Sequence, residues 1–217
     1  MHTRGVALKI HNLYAGSWLS NCYVLISEDK NGKNHAAVID PSADAEDITA
    51  LLKCEDATLD MIILTHGHFD HIMSLDALRQ LTGAPAYIHE SDDEMLEDSK
   101  KNAYSFFFGD ELIQKKADKT LRDGDALSVG DENLMVIHLP GHSKGSIALL
   151  GDGFLITGDT LFAQGFGRYD LHGGDALTLK KSLNSLKELD RTLTIYAGHG
   201  ESAKLGEALH AISYFTN

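Results

Sequence analysis

The sequence has 217 residues, 43% of them hydrophobic and 24% charged, which is typical of one globular domain with a substantial core. Its net charge of −13 argues against nucleic-acid and anionic-membrane partners, since both are bound through basic surfaces. No apolar stretch reaches the length of a membrane span, no signal peptide is recognisable, and Cys22 and Cys54 form no disulfide framework, so we expect a reduced, cytoplasmic setting with both cysteines buried.

Short apolar, β-branched runs bounded by turn residues predict strands, and apolar residues at three- and four-residue spacing predict helices. The predicted strands cover residues 6–10, 23–26, 36–39, 61–64, 86–88, 134–139, 147–150, 154–157 and 194–197. The predicted helices cover residues 45–53, 74–81, 91–96, 177–189 and 202–215. Strands and helices alternate in the first third, but strands follow one another from about residue 127 to residue 157. A purely parallel sheet would alternate throughout, so this order favours mixed sheets with helices outside.

The segment HGHFDH directly follows a predicted strand and carries three imidazoles and a carboxylate: His66, His68, Asp70 and His71. A polar surface turn is the ordinary explanation for such a segment. However, a hydrogen-bonded core histidine explains one imidazole, not three around an aspartate. The cluster therefore indicates a metal site.

Three further polar residues, His142, Asp159 and His199, each follow a later predicted strand. Taken singly, such a histidine is usually a surface or hydrogen-bonded residue, and such an aspartate can begin a turn or a helix. Together with the first cluster they indicate one cleft, because loops at strand ends can direct side chains toward a shared site. The remaining histidines are interpreted as structural or surface residues: His2, His11, His35, His89, His138, His172 and His210.

Imidazole and carboxylate ligands suit zinc, iron or manganese, and they exclude an all-oxygen site for a hard cation. The five histidines and two aspartates of the cluster are too many for one tetrahedral ion but suitable for two. A carboxylate such as Asp159 can bridge two ions roughly 3.5–4 Å apart. We therefore expect two divalent metal ions as cofactors, with zinc as the first choice and iron or manganese as alternatives.

The motifs HGHFDH (66–71), PGHS (140–143), TGDTLF (157–162), GRYD (167–170) and AGHG (197–200) occur in this order. Together with NCYVL from Asn21 and VIDPS from Val38, they make the chain resemble the metallo-β-lactamase-fold hydrolases. Within them it is similar to a single-domain group related to glyoxalase II, the hydroxyacylglutathione hydrolases. The resemblance implies an α/β fold, the αβ/βα sandwich of two mixed β-sheets flanked by helices. It also implies one domain over residues 1–217, without the C-terminal helical domain that binds glutathione.

The resemblance further implies a ligand assignment and a reaction. His66, His68 and His142 would hold one metal, Asp70, His71 and His199 the other, and Asp159 would bridge them together with a hydroxide. Asp70 and Asp159 would be the catalytic carboxylates, and the bridging hydroxide would attack the substrate carbonyl. The motifs contain no acid beyond the ligands, which favours a leaving group that needs none, such as a thiolate. The expected substrate is a thioester of a small acyl-thiol, similar to hydroxyacylglutathione.

Some assignments stay open. The segment GFGRYDLHGGD replaces the lysine and tyrosine contacts of the two-domain enzymes, which leaves glutathione in question as the carrier. Arg168 and Asp170 either pair with each other behind the site or bind substrate. Lys144 either attracts a substrate carboxylate or is solvated, and the aromatic segment 102–108 either covers the cleft or belongs to the core.

An iron-dependent persulfide dioxygenase shares this fold and the GRxD pattern, and would use one iron held by His66, His142 and Asp159. The resemblance disfavours β-lactam hydrolysis, because Asp159 has no counterpart as a bridging ligand in those enzymes and no secretion signal is present. The charge opposes nuclease action. An inactive scaffold is disfavoured because no ligand position is missing.

Overall fold

A computed structural model of the protein describes residues 8–15 and 20–216, and its strands form two six-stranded sheets. The first sheet contains, in spatial order, β1 (Lys9–Ala15), β2 (Ser20–Glu28), β3 (Asn34–Ile39), β4 (Ala57–Ile63), β5 (Ala86–His89) and β6 (Lys119–Leu121). Pairing is antiparallel from β1 to β3 and parallel from β3 to β6. The parallel part places the carboxyl ends of β3, β4 and β5 at one edge of the sheet.

The second sheet contains β7 (Ala126–Val129), β8 (Glu132–His138), β9 (Ile147–Gly151), β10 (Phe154–Gly158), β11 (Thr194–Ala197) and β12 (Ala203–Lys204). Its spatial order is β12-β11-β10-β9-β8-β7. Only β10 and β11 pair in parallel, and they are joined by a helical crossover. Both sheets are therefore mixed, as the order of predicted elements indicated.

Helices follow the strands on the outer faces of the sheets. Those of the first half are α1 (Ala45–Cys54), α2 (Phe69–Ile72), α3 (Leu75–Thr82), α4 (Asp93–Leu96) and α5 (Tyr104–Phe108). Those of the second half are α6 (Ala176–Ser185), a 3₁₀ turn (Leu186–Glu188), α7 (Leu205–Ala211) and α8 (Ser213–Thr216). Local chemistry sets their ends. Asp175 caps α6 by accepting a hydrogen bond from the Thr178 backbone N–H, and α3 ends at Gly83, whose φ is +71°.

Three clusters of buried apolar side chains define the layers. The cluster between the sheets includes Leu25 and Ile39 from the first sheet with Leu149 from the second. A second cluster packs α1 and α3 on the outer face of the first sheet, and a third packs α6 and α7 on the second. The strands of both sheets are covered on two faces, which explains their continuous apolar runs. The result is the predicted αβ/βα sandwich.

Most predicted elements occur close to their expected positions, but three differ. Residues 202–215 are not one helix. Ala203 and Lys204 pair with the edge of β11, and the helix that follows is interrupted at Ile212 before α8. Residues 177–189 change from α-helix to a 3₁₀ turn at Leu186. Within the described residues the first strand runs from Lys9 to Ala15, beyond the predicted end at residue 10, and the predicted residues 6 and 7 lie outside the described part of the chain.

The two cysteines differ in burial. Cys22 lies in the core and is fully buried, as expected. Cys54 is exposed, contrary to expectation, because it is the last residue of α1 and the apolar side of that helix is formed by Ile48 and Leu52 instead. Among the described residues, no helix is long and apolar enough to cross a bilayer.

Candidate metal centre

The HGHFDH segment follows the carboxyl end of β4 and runs into the short helix α2. His66 and His68 lie in the loop, and His68 is the residue just before α2. Asp70 and His71 belong to α2 itself. The single turn of this helix places them on the same side of the segment as His66 and His68 of the preceding loop. All three histidines are almost completely buried, while Asp70 is partly accessible.

The three later residues come from the second sheet and face this segment. His142 follows β8, Asp159 follows β10 directly, and His199 follows β11. Parallel pairing of β10 with β11 brings Asp159 and His199 to the same edge. Close packing needs glycine here, because a Cβ on Gly198 would lie 2.1 Å from Asp159 Oδ1. The structure therefore brings all seven predicted residues together between the two sheets.

The first ligand group consists of His66, His68 and His142, whose nearest nitrogens converge. His142 Nε2 lies 2.8 Å from His68 Nδ1 and 3.2 Å from His66 Nε2. One donor atom of each residue lies within 4.8 Å of the others. Three imidazole nitrogens directed at one point are the donor set of a zinc or iron site with an open position.

The second ligand group consists of Asp70, His71 and His199. His199 Nε2 lies 3.2 Å from Asp70 Oδ2, and His71 Nε2 lies 3.6 Å from the same oxygen. Asp159 lies between the two groups. Its Oδ2 is 3.7 Å from His142 Nε2 of the first group and 3.4 Å from His199 Nε2 of the second, while its Oδ1 is 3.4 Å from His71 Nε2.

The hydrogen bonding of these residues fits a divalent ion at each group. His71 Nε2 and Asp159 Oδ1 are buried without a hydrogen-bond partner, although such groups are costly to leave unsatisfied. In the first group, imidazole nitrogens face each other rather than other donors or acceptors. Neutral imidazoles facing each other and a buried carboxylate aimed at histidines are the arrangement that bound cations stabilise.

The electrostatics differ between the two groups. Burial, reinforced by the other histidines, holds the pKa of His66 well below its usual value and lowers the pKa of His68 to about 3, so both are neutral and able to bind metal. Burial also lowers the pKa of His199, but the Asp159 and Asp70 carboxylates outweigh it and raise that pKa to about 9. Although burial raises the pKa of Asp70, His71 and His199 bring it down to about 2.

Asp40 supports the second group and was not among the predicted site residues. Its Oδ2 lies 3.0 Å from His71 Nδ1 and 2.6 Å from Thr65 Oγ1, and its Oδ1 accepts the Thr65 backbone N–H. This contact orients His71 with Nε2 toward the candidate metal position. Asp40 has a φ of +52°, which aspartate tolerates better than most residues. The sequence contains a signal for this role, because Asp40 directly follows a predicted strand, as the candidate ligands do. In the structure that strand, β3, is parallel to β4.

Asp92 connects the two loops of the first group. This residue is 1% exposed and accepts hydrogen bonds from Ser143 Oγ (2.6 Å), the Gly145 backbone N–H (2.6 Å) and the Gly67 backbone N–H (3.3 Å). Burial raises its pKa, while these donors act in the opposite direction. Asp92 therefore ties the His142 loop to the loop that carries His66 and His68. Nothing in the sequence indicates this role, since Asp92 lies in an acidic run without a recognisable motif.

Asn21 connects segments at the second group in the way that Asp92 does at the first. Its side-chain Nδ2 donates to the backbone oxygens of Ala197 (2.8 Å) and Gly200 (2.9 Å), on either side of His199. Its own backbone N–H donates to Gly198. Ser20 Oγ donates to Asp70 Oδ2 at 3.1 Å. The start of β2 thus fastens the His199 loop of the second sheet to the first sheet.

A cleft of about 220 Å³ opens beside the two ligand groups. His68, Asp70, His142, Asp159 and His199 form its polar floor. Its walls are mainly apolar and are formed by Phe69, Ala103, Phe107, Phe162 and Leu171. Helix α5 of the aromatic segment 102–108 thus contributes to the cleft, and α5 contains no buried residue. The wall position of α5 agrees with a cover role for residues 104–108, whereas Asn102 and Ala103 are buried.

Arg168 and Asp170 form an ion pair with each other, which is one of the two interpretations that the sequence leaves open. Arg168 Nε and Nη2 donate to the two carboxylate oxygens of Asp170 at 2.6 and 2.8 Å. Arg168 itself lines the cleft, whereas Asp170 does not, and the Arg168 backbone oxygen lies 2.7 Å from His142 Nδ1. Lys144 is exposed and lines a separate acidic groove rather than the cleft.

The other histidines within the described residues take part in no such cluster. His35 lies beside Asp60, His172 beside Glu94 and His11 beside Glu55. His89 and His138 stack on each other with ring centroids 4.0 Å apart. His210 is exposed, and His2 lies outside the described residues.

Comparison with known proteins agrees with this geometry. A family profile described as the metallo-beta-lactamase superfamily matches residues 15–199. The chain belongs to the metallo-beta-lactamase superfamily, a class of metal-binding hydrolases. It is similar to "Probable metallo-hydrolase YqgX" of Bacillus subtilis (33% identity, covering 89% of this chain and 90% of the relative). It is also similar to the hydroxyacylglutathione hydrolase GloC of Haemophilus influenzae (31% identity, 86% and 88%).

Solved structures with 27–34% sequence identity show the same fold. BLEG-1, a B3 metallo-beta-lactamase, is 34% identical with a TM-score of 0.86 over 96% of this chain and 100% of that one. TTHA1623 in a di-iron-bound form is 29% identical with a TM-score of 0.77, over 91% and 96%. ETHE1 from Myxococcus xanthus is 27% identical with a TM-score of 0.70, over 92% and 80%.

Proposed function

We propose that this protein is a dinuclear metal-dependent hydrolase that cleaves thioesters of small acyl-thiols. The observation that carries the proposal is the position of Asp159, whose carboxylate lies between two groups of three side chains that could each hold an ion, His66–His68–His142 and Asp70–His71–His199. A single-ion site would need only one of these sets. Similarity to a hydroxyacylglutathione hydrolase and to a di-iron protein supports both the reaction class and the number of ions.

His66, His68 and His142 would hold one ion, Asp70, His71 and His199 the other, and Asp159 would contact both. Divalent ions at these positions, with zinc as the first choice, would lower the pKa of water toward neutrality and polarise a carbonyl oxygen. The chain itself supplies the rest. Asp40 and Asp92 hold the ligand loops in place, and the apolar walls around Phe69 and Phe162 exclude water from the scissile bond.

The cleft favours a leaving group that departs without a proton donor. Apart from the candidate ligands, the described residues that line the cleft include no carboxylic acid, lysine, tyrosine or cysteine. A thiolate needs no such donor, because thiols have a pKa near 8.5. An amide nitrogen does need one, since its anion is far too basic to leave. Thioester cleavage therefore asks least of the side chains present.

Persulfide oxidation at a single iron is a second candidate, supported by the similarity to ETHE1 and by the GRYD motif. It would use His66, His142 and Asp159, and would leave Asp70, His71 and His199 without a role. Hydrolysis of β-lactams is a third, supported by the similarity to BLEG-1. The absence of a proton donor for the lactam nitrogen among the described lining residues argues against it.

The test is to load the metal-free protein with zinc, iron or manganese and to measure thiol release from S-lactoylglutathione and from acyl thioesters of N-acetylcysteamine. We expect metal-dependent thiol release, no oxygen uptake with glutathione persulfide and no turnover of nitrocefin. Equal thiol release by metal-free protein would contradict the proposal. Oxygen uptake with persulfide as the main activity would replace it with the dioxygenase.

A further inference from the structure

One wall of the cleft is aromatic, and it includes Phe69, the residue that follows the candidate ligand His68. Phe69 follows His68 directly and is 3% exposed. Its ring packs against Phe107 and Phe108 of α5, with centroid distances of 5.6 and 5.5 Å. Phe107 lines the cleft and is 40% exposed, whereas its neighbour Phe106 is 71% exposed and does not line it. Helix α5 thus presents one ring to the cleft and one to solvent.

The positive charge at this wall is already neutralised. Outside the histidines, Arg168 is the cationic side chain among the described lining residues, and its Nε–Nη2 edge is occupied by both oxygens of Asp170. The same guanidinium lies 5.8 Å from the centre of the Phe107 ring. A glutathione thioester would bring two carboxylates into this cleft, and the bidentate edge that could bind one is in use. The net charge of −13 adds a general repulsion.

We propose that the substrate is a thioester with an apolar acyl chain on a thiol without net negative charge, and that Phe107 is the residue that selects the acyl chain. This inference rests on the proposed thioester hydrolysis and names its substrate class. In the reaction, the C–S bond breaks, water supplies the oxygen of the new carboxylate, and the thiolate leaves and takes up a proton from solvent. No oxidant or second substrate is needed.

Apolar contact between the acyl chain and the Phe107 ring makes kcat/KM depend on the length of the acyl chain. Burying one methylene in the transition state raises kcat/KM by roughly threefold to fourfold. The increase continues until the chain reaches the solvent-facing side of α5. Asp170 adds a second dependence, because a neutral residue at this position frees the Arg168 guanidinium for a substrate carboxylate.

The experiment compares zinc-loaded wild type with Phe107→Ser, Phe106→Ser and Asp170→Asn. The substrates are acetyl, butanoyl and hexanoyl thioesters of N-acetylcysteamine, together with S-lactoylglutathione. We expect wild-type kcat/KM to rise along the acyl series and to exceed that for S-lactoylglutathione. In Phe107→Ser, kcat/KM no longer rises with acyl-chain length, while in the matched control Phe106→Ser the rise is the same as in wild type. Asp170→Asn lowers KM for S-lactoylglutathione by about twofold to fivefold and leaves the neutral thioesters unchanged.

Each outcome decides a different question. A series that is flat in wild type, or that keeps its slope in Phe107→Ser, overturns the substrate class while thioester hydrolysis stands. Preference for S-lactoylglutathione by wild type does the same. If wild type loaded with zinc, iron or manganese releases no thiol from any of these substrates, thioester hydrolysis itself fails and this inference fails with it.

Discussion

Asp159 is the side chain on which the two ligand groups depend together. Its two oxygens lie 3.4–3.7 Å from imidazoles of both groups. Although burial raises the pKa of Asp159, His71 and its other histidine neighbours hold that pKa well below its usual range, so the carboxylate is ionised. An ionised, buried carboxylate between two sets of ligands is suited to offset the charge of two cations.

Replacing Asp159 with Asn should therefore remove metal binding at both groups rather than at one. The amide loses the charge and turns an N–H₂ donor toward imidazoles or a cation. We expect kcat/KM for thioesters to fall by on the order of 100-fold or more, and bound metal to fall at both positions. Elemental analysis and thiol release measure the two effects. Asp152→Asn, in the exposed turn after β9, is the control, and normal metal content in Asp159→Asn would contradict the assignment.

Asp40 should act chiefly through His71, which its carboxylate contacts directly, because it reaches His66 of the first group only through Thr65. Asn at position 40 tolerates the positive φ and can still accept a hydrogen bond, so the turn after β3 is kept. The loss of charge beside His71 Nδ1 weakens that imidazole as a ligand, and we expect metal affinity of the second group to fall by about 10- to 100-fold. Competition with a chelator of known affinity measures this change. An equal loss at the first group would point to general unfolding instead.

At the scale of loops and helices, the site consists of segments from two sheets, and hydrogen bonds connect these segments to each other. Asp92 joins the loops of the first group, and Asn21 joins the His199 loop to β2. These contacts bring together segments far apart in sequence. They explain how loops, which are usually mobile, can hold ligands in fixed positions.

Asp92→Asn should loosen the first group selectively. The amide can accept fewer of the three donors that now surround the carboxylate, and its own N–H₂ would face a backbone N–H. We expect metal affinity of the first group to fall by about tenfold and the free energy of unfolding to fall by about 1–3 kcal/mol. Asp93→Asn is the matched control, because Asp93 accepts from the Ala117 backbone N–H and contacts neither ligand loop. Equal effects of the two substitutions would refute a positioning role for Asp92.

The ligand residues could be predicted because each combines a diagnostic residue type with a position directly after an apolar strand. Asp92 and Asn21 could not, since nothing local distinguishes a buried aspartate in an acidic run or an asparagine at a strand start. Their roles depend on partners 25 to 179 residues away. The prediction of one helix over residues 202–215 is wrong for a related reason. Their apolar spacing suits a helix, but pairing with the β11 edge removes Ala203 and Lys204 from it.

At the scale of the whole molecule, the two sheets each contribute part of the site, so metal binding also links the two halves of the sandwich. His66, His68, Asp70 and His71 come from the first half, while His142, Asp159 and His199 come from the second. Ions held by both halves bind the folded chain and not the unfolded one. Metal should therefore stabilise the fold by mass action.

Removal of metal should lower the melting temperature by roughly 10–20 °C, if both groups are loaded and free metal is about 100 times each dissociation constant. Differential scanning calorimetry before and after chelation measures this shift. Added zinc should restore the original value, whereas magnesium should not, because magnesium prefers oxygen ligands. A melting temperature that is indifferent to chelation would show that the two halves are not joined through metal.

The number of metal ions per chain tests the central claim most directly. After saturation with zinc or iron and removal of free metal, elemental analysis of the wild-type protein gives this ratio without reference to any substrate. Two sets of ligands around Asp159 predict two divalent ions per chain. A ratio of one ion per chain at saturation would contradict the dinuclear hydrolase and favour the single-iron alternative.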